Sequence, residues 1–303
     1  MPLRTIIRAS VASLLLLATT AIAQDDTTIE IAPGVLMPYV NLGGVVSAPS
    51  NYTEWLALGG RGIDTALTYG DVVQKKVAQA LQATSVPRSE IFVTTKVPCC
   101  PLKQSSKCKD PEYDGSIAAD IAADIAILGN VDLMLLHWPC NTYEQTLQAY
   151  TDLEKALEQG VTRAIGVSNF NASLLARLKD DVTTQPAVNQ CGHSVGAHNE
   201  THNPQIGGDD ATAAYCSKWG ISYSAYSPLG GLSKLDIYKN PTVKEIASSF
   251  NPPISPAQVA LRWLIQQKIT AVTAANNKDY LAEDMDVFSF HLSKNDMSRL
   301  TAL

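Results

Sequence analysis

Residues 131–139 read Val-Asp-Leu-Met-Leu-Leu-His-Trp-Pro, an apolar run that ends abruptly in histidine, tryptophan and proline. Stretches with helical periodicity lie on both sides of it, at Ser116–Leu128 before and Tyr143–Glu158 after. A short apolar run between two helical stretches is typical of a strand buried in a parallel sheet. The segment therefore predicts one repeat of strand and helix, with His137 at the carboxyl end of the strand.

The same alternation extends along the chain from about Thr28 onward. Eight strands are predicted, at Tyr39–Leu42, Gly62–Asp64, Ile91–Thr95, Val131–Leu136, Thr162–Gly166, Ala187–Asn189, Ile221–Ala225 and Ile269–Val272. Helices are predicted at Val73–Leu81, Ser116–Leu128, Tyr143–Glu158, Ser173–Lys179, Asp210–Lys218, Thr242–Phe250 and Pro256–Gln267. This pattern favours an α/β fold, a closed (β/α)8 TIM barrel, over an open doubly wound sheet.

Residues 29–37 precede the first barrel strand and contain a Pro33-Gly34 turn, which predicts an N-terminal β-hairpin that closes the bottom of the barrel. The sequence shows neither an internal repeat nor a linker. We therefore expect a single barrel domain over residues 24–303. The composition, with 46% hydrophobic and 17% charged residues, excludes a disordered, collagenous or coiled-coil protein.

The first 23 residues have the pattern of a secretory signal peptide. Arg4 and Arg8 precede the apolar run 11–18, and small residues end the segment at Ala21-Ile22-Ala23. The apolar run is short for a membrane span, so a retained anchor is the less favoured alternative. Cleavage after Ala23 would take the formal net charge from −6 to −8, because two arginines leave with the leader. We expect a secreted monomer that binds a small molecule, with neither nucleic acid nor membrane as a partner.

Cysteines and glycosylation motifs agree with an oxidising compartment. Sequons begin at Asn51, Asn171 and Asn199. The six cysteines are Cys99, Cys100, Cys108, Cys140, Cys191 and Cys216. The first four follow the third and fourth predicted strands, and we expect at least one disulfide among them. A cross-loop or within-loop pair, such as Cys108 with Cys99 or Cys100, is favoured over the strained vicinal pair Cys99–Cys100, although the sequence does not choose the pairing. Cys216 lies within a predicted helix, where a buried free thiol is the alternative to a disulfide.

Four polar side chains lie at or just after the ends of neighbouring predicted strands: Asp64, Tyr69, Lys96 and His137. The carboxyl ends of barrel strands carry the chemistry of this fold. Taken singly, each residue has a structural explanation, such as capping a turn or ending a strand in solvent. Together they suit proton donation: a lysine stabilises a phenolate, an aspartate holds the lysine, and an imidazole orients a carbonyl oxygen.

The chain resembles the aldo-keto reductases from about Thr28 to Leu303. The matching segments are Ile63–Ala66 with Tyr69, Thr94–Lys96, Leu136–Pro139, Ile165–Phe170, Pro186–Gln190, Ala225–Gly230 and Leu281–Asp284 with Val287-Phe288. The resemblance implies an oxidoreductase that reduces an aldehyde or ketone with NADPH or NADH bound across the barrel mouth. It also implies that Asp64, Tyr69, Lys96 and His137 are the catalytic residues.

The resemblance further implies how the nicotinamide cofactor is bound. Tyr226 would stack on the nicotinamide ring, and Ser168, Asn169 and Gln190 would hydrogen-bond its carboxamide. Ser227 and Leu229 would face the pyrophosphate, and Glu283 and Asp284 would lie near the adenine. The alternatives are that Ser168 and Asn169 cap the next helix and that Tyr226 belongs to the core.

The chain departs from the family pattern at the expected 2′-phosphate site. Where the family has Ile-Pro-Lys-Ser and a later arginine, this sequence has Val272-Thr273-Ala274-Ala275 and Tyr280. Both expected positive charges are missing, although Lys278 lies nearby. The choice between NADPH and NADH therefore stays open.

Two further departures concern the rim of the barrel. The first strand ends in Gly43-Gly44-Val45, where the family often has an aromatic residue, so Val45 and Trp138 are the predicted substrate-pocket residues. A long loop after Gln190 contains His193, His198 and His202. Their irregular spacing in a Gly/Asn-rich loop favours a solvated loop and no metal site.

Two other classes of protein fit parts of the sequence. A non-catalytic dinucleotide-binding barrel needs no complete set of catalytic residues, yet all four are present. A secreted glycoside hydrolase needs two suitably separated carboxylates. Asp64 alone is well placed for that role.

Overall fold

The computed structural model describes residues 26–44, 50–99, 115–199, 206–231 and 233–303. The predicted leader, Val45, Cys100, Cys108 and His202 lie outside these residues. Two strands, β1 (Thr28–Ala32) and β2 (Val35–Pro38), form an antiparallel hairpin. Gly34 makes the turn between them with a φ of 72°, a conformation that favours glycine.

Eight parallel strands form a closed barrel. They are β3 (Val40–Leu42), β4 (Gly62–Asp64), β5 (Phe92–Val97), β6 (Val131–Leu136), β7 (Thr162–Ser168), β8 (Val188–Gly192), β9 (Ser222–Tyr226) and β10 (Thr270–Thr273). Each pairs with the next along the chain, and β10 closes the ring by pairing with β3, with Ala271 opposite Val40. The predicted barrel is confirmed, and the open sheet is wrong because no strand edge is left unpaired in the ring.

The hairpin closes the bottom of the barrel, as predicted. Ile31, Val35 and Met37 of the hairpin are buried in one cluster with residues from the barrel strands. The strand residues in that cluster are Phe92, Leu133, Leu135, Ala164 and Val188. The bottom is therefore filled with apolar side chains, and the open end lies at the carboxyl ends of the strands.

Ten helices are found in the described residues. They are α1 (Tyr52–Ala57), α2 (Asp71–Ala83), α3 (Ile117–Leu128), α4 (Tyr143–Glu158), α5 (Ala172–Asp181), α6 (Asp210–Trp219), α7 (Pro241–Ser248), α8 (Pro256–Ile265), α9 (Lys278–Met285) and α10 (Lys294–Thr301). The prediction for α4 is correct at both ends. The sequence analysis missed α1, α9 and α10, since helices of six or eight residues hardly repeat the helical period. No helix within the described ranges is long and apolar enough to cross a membrane.

Glycine is required at one point of the barrel wall. A Cβ atom at Gly166 in β7 would lie 2.4 Å from the backbone oxygen of Val188 in β8 and 2.9 Å from a methyl group of Leu135 in β6. These contacts are too close for any side chain. Gly166 therefore permits the spacing of three adjacent strands.

Behind β5, a buried carboxyl group joins the barrel to two helices. Asp124 in α3 accepts hydrogen bonds from the Gln74 amide in α2 and from Thr95 Oγ1 in β5, the latter at 2.5 Å. Burial raises the pKa of Asp124 from 3.8 to about 6, against the opposing effect of these hydrogen bonds. Gln74 Oε1 has no hydrogen-bond partner among the described residues.

This arrangement predicts a pH-dependent effect of Asp124→Asn on stability. Because the pKa of Asp124 is higher in the native state, its favourable contribution is present at low pH and is lost as pH rises from 3.8 to about 6. An asparagine keeps the Thr95 bond and can donate to Gln74 Oε1 once that amide turns over. We expect the variant to gain about 1–3 kcal/mol in unfolding free energy relative to wild type between pH 4 and pH 7.

Urea unfolding at the two pH values measures this difference. Asp180→Asn is the matched control, because the Asp180 carboxylate is exposed on α5. A stability difference that stays constant from pH 4 to pH 7 contradicts the prediction.

Candidate active site

The ends of β4, β5 and β6 bring the four predicted catalytic residues together. Asp64 is the last residue of β4, Lys96 lies near the end of β5, and His137 directly follows β6. Tyr69 ends a single 3-10 turn, Leu67–Tyr69, which follows β4. The parallel register of adjacent strands places all four at the same edge of the barrel.

Lys96 is the centre of this group. Its side chain is 1% exposed, and its ammonium donates to Asp64 Oδ1 at 2.5 Å and to the Thr65 backbone oxygen at 2.9 Å. The ammonium nitrogen also lies 5.3 Å from the centre of the Tyr69 ring. Burial lowers the pKa of Lys96, but the negative charge of Asp64 and the Tyr69 phenol outweigh it and raise the pKa above 10.5. Lys96 is therefore a cation throughout the physiological range.

The Tyr69 phenol is protonated at neutral pH. Burial raises its pKa above 10.0, and Lys96 opposes this rise by charge and hydrogen bonding. The expectation from sequence was that the cation would lower the phenol pKa. The lowering effect is present, but burial is the larger effect. The phenol is therefore a protonated acid, and the phenolate that forms when it gives up its proton is next to the positive charge of Lys96.

His137 is neutral, because burial and the nearby Lys96 charge lower its pKa well below 6.5. Its Nδ1 lies 3.2 Å from Thr68 Oγ1, and its backbone NH donates to the Val97 oxygen at 2.9 Å. The His137 ring stands edge-on to the Tyr69 ring with centroids 5.9 Å apart. When Thr68 donates to Nδ1, the proton of the neutral ring is on Nε2, so the ring can donate to an acceptor there. The sequence analysis did not identify Thr68.

The predicted nicotinamide-binding residues form a hydrogen-bonded chain that ends at Asp64. The Tyr226 hydroxyl donates to Asn169 Oδ1 at 2.8 Å, and Asn169 Nδ2 donates to Ser168 Oγ at 3.1 Å. Ser168 Oγ donates to the Gln190 backbone oxygen at 2.7 Å, and Gln190 Nε2 donates to Asp64 Oδ2 at 2.8 Å. The ends of β7, β8 and β9 are thereby coupled to the Asp64–Lys96 pair.

The alternative roles for these residues are not supported. Asn171, not Ser168 or Asn169, caps α5, by accepting from the Leu174 NH at 2.9 Å. Tyr226 is only partly buried and faces a cavity. Asn169 and Ser227 have φ values of 61° and 54°, in the left-handed region that non-glycine residues rarely adopt. Such backbone strain is concentrated in proteins at functional sites.

The residues predicted for the far end of a dinucleotide differ in their exposure. Leu229 packs in part against the hydrophobic core. Asp284 in α9 is buried and accepts from Thr273 Oγ1 at 2.9 Å, and burial raises its pKa to about 6. Glu283 beside it is partly exposed. Tyr280, which replaces the family arginine, is 61% exposed.

A cavity of about 460 Å³ opens between these groups. Its wall contains Tyr69, His137, Trp138, Ser168, Asn169, Gln190 and Tyr226, together with Pro139, Cys140, Asn141 and Ile206. The predicted pocket residue Trp138 therefore lies on the wall, with its ring centroid 4.3 Å from that of His137. Cys140, Asn141 and Ile206 were missed because they belong to loops, where sequence periodicity carries no information about orientation.

The two glycines that follow β3 leave space for neighbouring side chains. A Cβ atom at Gly43 would lie 2.6 Å from a methyl carbon of Val272, and one at Gly44 would lie 2.7 Å from the Tyr52 hydroxyl. Tyr52 is 2% exposed and comes from α1. A buried tyrosine from the next helix thus occupies the space against Gly44.

A disulfide joins the loops that follow β5 and β6. Cys99 and Cys140 are bonded, which confirms the prediction of at least one disulfide in this group of four cysteines. Cys191 and Cys216 are buried free thiols, so the second of the two alternatives for Cys216 is correct. The bond lies immediately beside the candidate active site, since Cys140 contributes to the cavity wall.

The prediction of a solvated loop after Gln190 is wrong for its first part. His193 and His198 are 1% and 4% exposed, and both rings pack against Trp263 of α8. His198 Nδ1 lies 2.9 Å from Asp210 Oδ2. Burial lowers the pKa of His193 to about 4. Within the described ranges, no group of three or more histidine, cysteine or acidic side chains is placed to hold a metal ion.

Comparisons with known proteins agree on one family. The sequence profile described as the aldo/keto reductase family matches residues 51–303. The 9,11-endoperoxide prostaglandin H2 reductase of Trypanosoma cruzi is 32% identical over 277 residues, covering 89% of this chain and 88% of that protein. Methylglyoxal reductase DkgA of Yersinia pestis is 30% identical over 280 residues, covering 91% and 92%. A solved aldo-keto reductase of Bombyx mori in complex with NADP superimposes with a TM-score of 0.73 and 25% identity, covering 91% and 92%.

Proposed function

Because this chain belongs to the aldo/keto reductase family, whose members include NADP-bound enzymes, we propose how its own residues perform NAD(P)H-dependent reduction of an aldehyde or ketone. The chain is an oxidoreductase of this type. This proposal rests on the buried ion pair of Lys96 and Asp64, which lies beside the protonated Tyr69 on the wall of a cavity.

The residues around the cavity fit a nicotinamide ring. Tyr226 presents a partly exposed ring, and Ser168, Asn169 and Gln190 place hydroxyl and amide groups on the same wall. Hydroxyl and amide groups are suited to a carboxamide, which both donates and accepts hydrogen bonds. The chemistry that a reduced nicotinamide would supply in this position is a hydride for the carbonyl carbon. The chain's own residues bind that ring, orient the carbonyl and deliver a proton.

Tyr69 is the proton donor in this proposal. Its Oη gives a proton to the carbonyl oxygen, and the phenolate left behind is stabilised by the Lys96 charge. Asp64 keeps Lys96 in place and charged, and Gln190 fixes the second oxygen of Asp64. His137 donates from Nε2 to the same carbonyl oxygen and so orients it for the transfer.

The substrate class proposed is a small aldehyde or 2-oxoaldehyde. Trp138, Pro139 and Ile206 give the cavity an apolar wall beside the proton donor. The relation to methylglyoxal reductase of Yersinia pestis supports a small 2-oxoaldehyde as the first substrate to assay. The described part of the cavity wall carries no carboxylate pair, so a glycoside hydrolase is not favoured.

The Tyr69→Phe variant tests the proton donor. Removal of the phenolic proton should lower kcat for methylglyoxal by at least about 100-fold, the usual scale of general acid catalysis. The dissociation constant for the dinucleotide should change by less than about twofold, since the ring remains in place. Steady-state kinetics and dinucleotide fluorescence measure the two quantities. Tyr143→Phe is the matched control and should keep wild-type kcat, because the hydroxyl that it removes donates to Asp181 of α5 and not to a residue of the cavity wall. A Tyr69→Phe enzyme that retains more than about a tenth of wild-type kcat would falsify the assignment.

We also propose that the enzyme discriminates weakly between NADPH and NADH. Ala274 and Tyr280 offer no charge to a 2′-phosphate, and the Lys278 ammonium is paired with Glu54 at 2.8 Å. Each charge-assisted hydrogen bond to a phosphate is worth roughly 1.5–3 kcal/mol, so the loss of two removes most of the discrimination.

The expected preference for NADPH in kcat/KM is below about 100-fold. Lys278→Met should change the ratio of kcat/KM values for the two cofactors by less than about threefold, because Glu54 already neutralises this lysine. Lys244→Met on α7 is the control for loss of a surface charge. A preference above about a thousandfold that collapses in Lys278→Met would show that Lys278 grips the phosphate.

Secretion is proposed on three grounds. The first is the leader pattern of residues 1–23, and the second is the Cys99–Cys140 disulfide, since such bonds persist in oxidising compartments. The third is that the sequon residues Asn51 and Asn171 are exposed. Each caps a helix through Oδ1, so a glycan on Nδ2 leaves the cap intact.

Expression of the full chain in a secretory host tests this proposal. We expect the mature protein in the medium to begin at Gln24 and to shift in mass when N-linked glycans are removed. Alkylation of unreduced protein should leave Cys99 and Cys140 unmodified. Retention of the leader, or four alkylated cysteines among residues 99–140, would count against secretion.

A further inference from the structure

Three links tie the segment after β5 to the segment after β6. The His137 backbone NH donates to the Val97 oxygen at 2.9 Å. The Trp138 indole NH donates to the Cys99 oxygen at 2.7 Å. The third link is covalent, the disulfide between Cys99 and Cys140. His137 and Trp138, which line the cavity and are proposed to face the carbonyl substrate, thus lie within a covalently closed unit.

The Cys140 side of this unit is anchored to a helix. The Cys140 NH donates to Thr146 Oγ1 at 3.0 Å, and that hydroxyl donates to the Thr142 backbone oxygen at 2.9 Å. Thr142 is the N-cap of α4, which runs for 16 residues. The disulfide therefore links Cys99 covalently to a segment whose position is fixed by α4. In turn, the carbonyl of Cys99 holds the Trp138 indole.

One of the bonded cysteines, Cys140, is part of the cavity wall, and Cys99 is bonded directly behind it. Cys99, Cys140 and Trp138 are 5%, 8% and 6% exposed. Trp138, Pro139 and Cys140 line the cavity together, and the Trp138 ring packs on His137. If the disulfide opens, the Cys99 carbonyl, which accepts from the Trp138 indole, loses its covalent tie to the segment that begins α4, so the indole has more freedom to move.

We propose that the Cys99–Cys140 disulfide is a positioning element for carbonyl binding, so that its reduction weakens binding of the carbonyl substrate and leaves dinucleotide binding intact. This inference rests on the proposed function. Dinucleotide binding is spared because Ser168, Gln190 and Tyr226 belong to β7, β8 and β9. Asn169 meets the disulfide-bonded segment at the His137 backbone oxygen, to which its Nδ2 donates at 2.9 Å, and the His137 NH is held by the Val97 oxygen independently of the disulfide.

The chemical step is thiol–disulfide exchange with an added small dithiol. One thiolate of the dithiol attacks a cysteine sulfur, which breaks the S–S bond and forms a mixed disulfide between reagent and protein. The second thiol of the reagent then displaces the protein sulfur, and the reagent leaves as a cyclic disulfide. Two electrons pass to the protein, and Cys99 and Cys140 each end as a thiol. Reoxidation reverses the step, so the effect on carbonyl binding is reversible.

The first experiment compares oxidised enzyme of wild-type sequence with enzyme that has been reduced by the dithiol and freed of the reagent before assay, because free thiols add to 2-oxoaldehydes. We expect KM for methylglyoxal to rise at least about tenfold on reduction, with kcat at saturation lowered by less than about threefold. The dinucleotide dissociation constant, measured by fluorescence, should change by less than about twofold. A general loss of structure would impair dinucleotide binding too, so that outcome overturns the proposal, as does an unchanged KM.

Matched cysteine variants show which bond is responsible. The double variant Cys99→Ser with Cys140→Ser should have the raised KM and no response to dithiol. Cys100→Ser and Cys108→Ser should each keep the wild-type response, and so should Cys216→Ala, which removes a buried free thiol. Should the double variant fail to fold, Thr146→Val gives a second test, because it releases the Cys140 end without touching either sulfur and should raise KM at least about threefold.

These results separate this inference from the proposed function. If Tyr69→Phe does not lower kcat, the assignment of Tyr69 as proton donor is wrong. The effect of the dithiol on KM would still report on binding of the carbonyl substrate. A wild-type enzyme that reduces methylglyoxal with the same KM before and after reduction overturns the positioning role alone. The proposal is also overturned if the response to dithiol persists in the double variant, or if it disappears in Cys100→Ser or Cys108→Ser. Either result would assign the response to another bond.

Discussion

The buried ion pair of Lys96 and Asp64 is the constraint around which the open end of the barrel is arranged. An ammonium group that is removed from water costs several kcal/mol unless a charge and hydrogen bonds replace its hydration. Here Asp64 and the Thr65 carbonyl supply both. Because Lys96 is on β5 and Asp64 on β4, the pair is satisfied only when adjacent strands are in register. The fold and the candidate chemistry therefore depend on the same contact.

The ion pair also sets the charge states of its neighbours. Lys96 is fixed as a cation, which lowers the pKa of His137 further and opposes the effect of burial on Tyr69. The site thus combines a neutral imidazole, a neutral phenol and one permanent positive charge. Gln190 extends the arrangement to β8 by bonding the second oxygen of Asp64, so the wall assigned to the nicotinamide shares a hydrogen-bond network with the proton donor.

Strand positions and strand-end residues were predictable from sequence because both depend on local patterns. Apolar runs located all eight barrel strands, and Asp64, Lys96 and His137 were found as polar residues at the ends of those runs. The barrel rule then placed them at one edge without any knowledge of their contacts. The burial of Asp124 behind β5 was not predictable in this way, because an acidic residue in a helix usually indicates a position that is exposed to solvent.

Contacts between loops were the part that sequence reasoning could not supply. The position of Ile206 on the cavity wall depends on how a long loop folds back, and no periodicity reports that path. His193 and His198 were expected in solvent because Gly and Asn surround them, yet Trp263 from a helix far along the chain covers both rings. Likewise, several cysteine pairings were open until the loops after β5 and β6 placed Cys99 against Cys140.

The hairpin at the bottom of the barrel has a consequence for the order in which the chain acquires its structure. Ile31, Val35 and Met37 emerge early in synthesis, but the strands that cover them, β5 to β8, come much later. The ring itself closes only when β10 meets β3, from the opposite end of the chain. Contacts between such distant segments form slowly. Until then the hairpin exposes an apolar face, and exposed apolar surface of this kind favours aggregation of the incomplete chain.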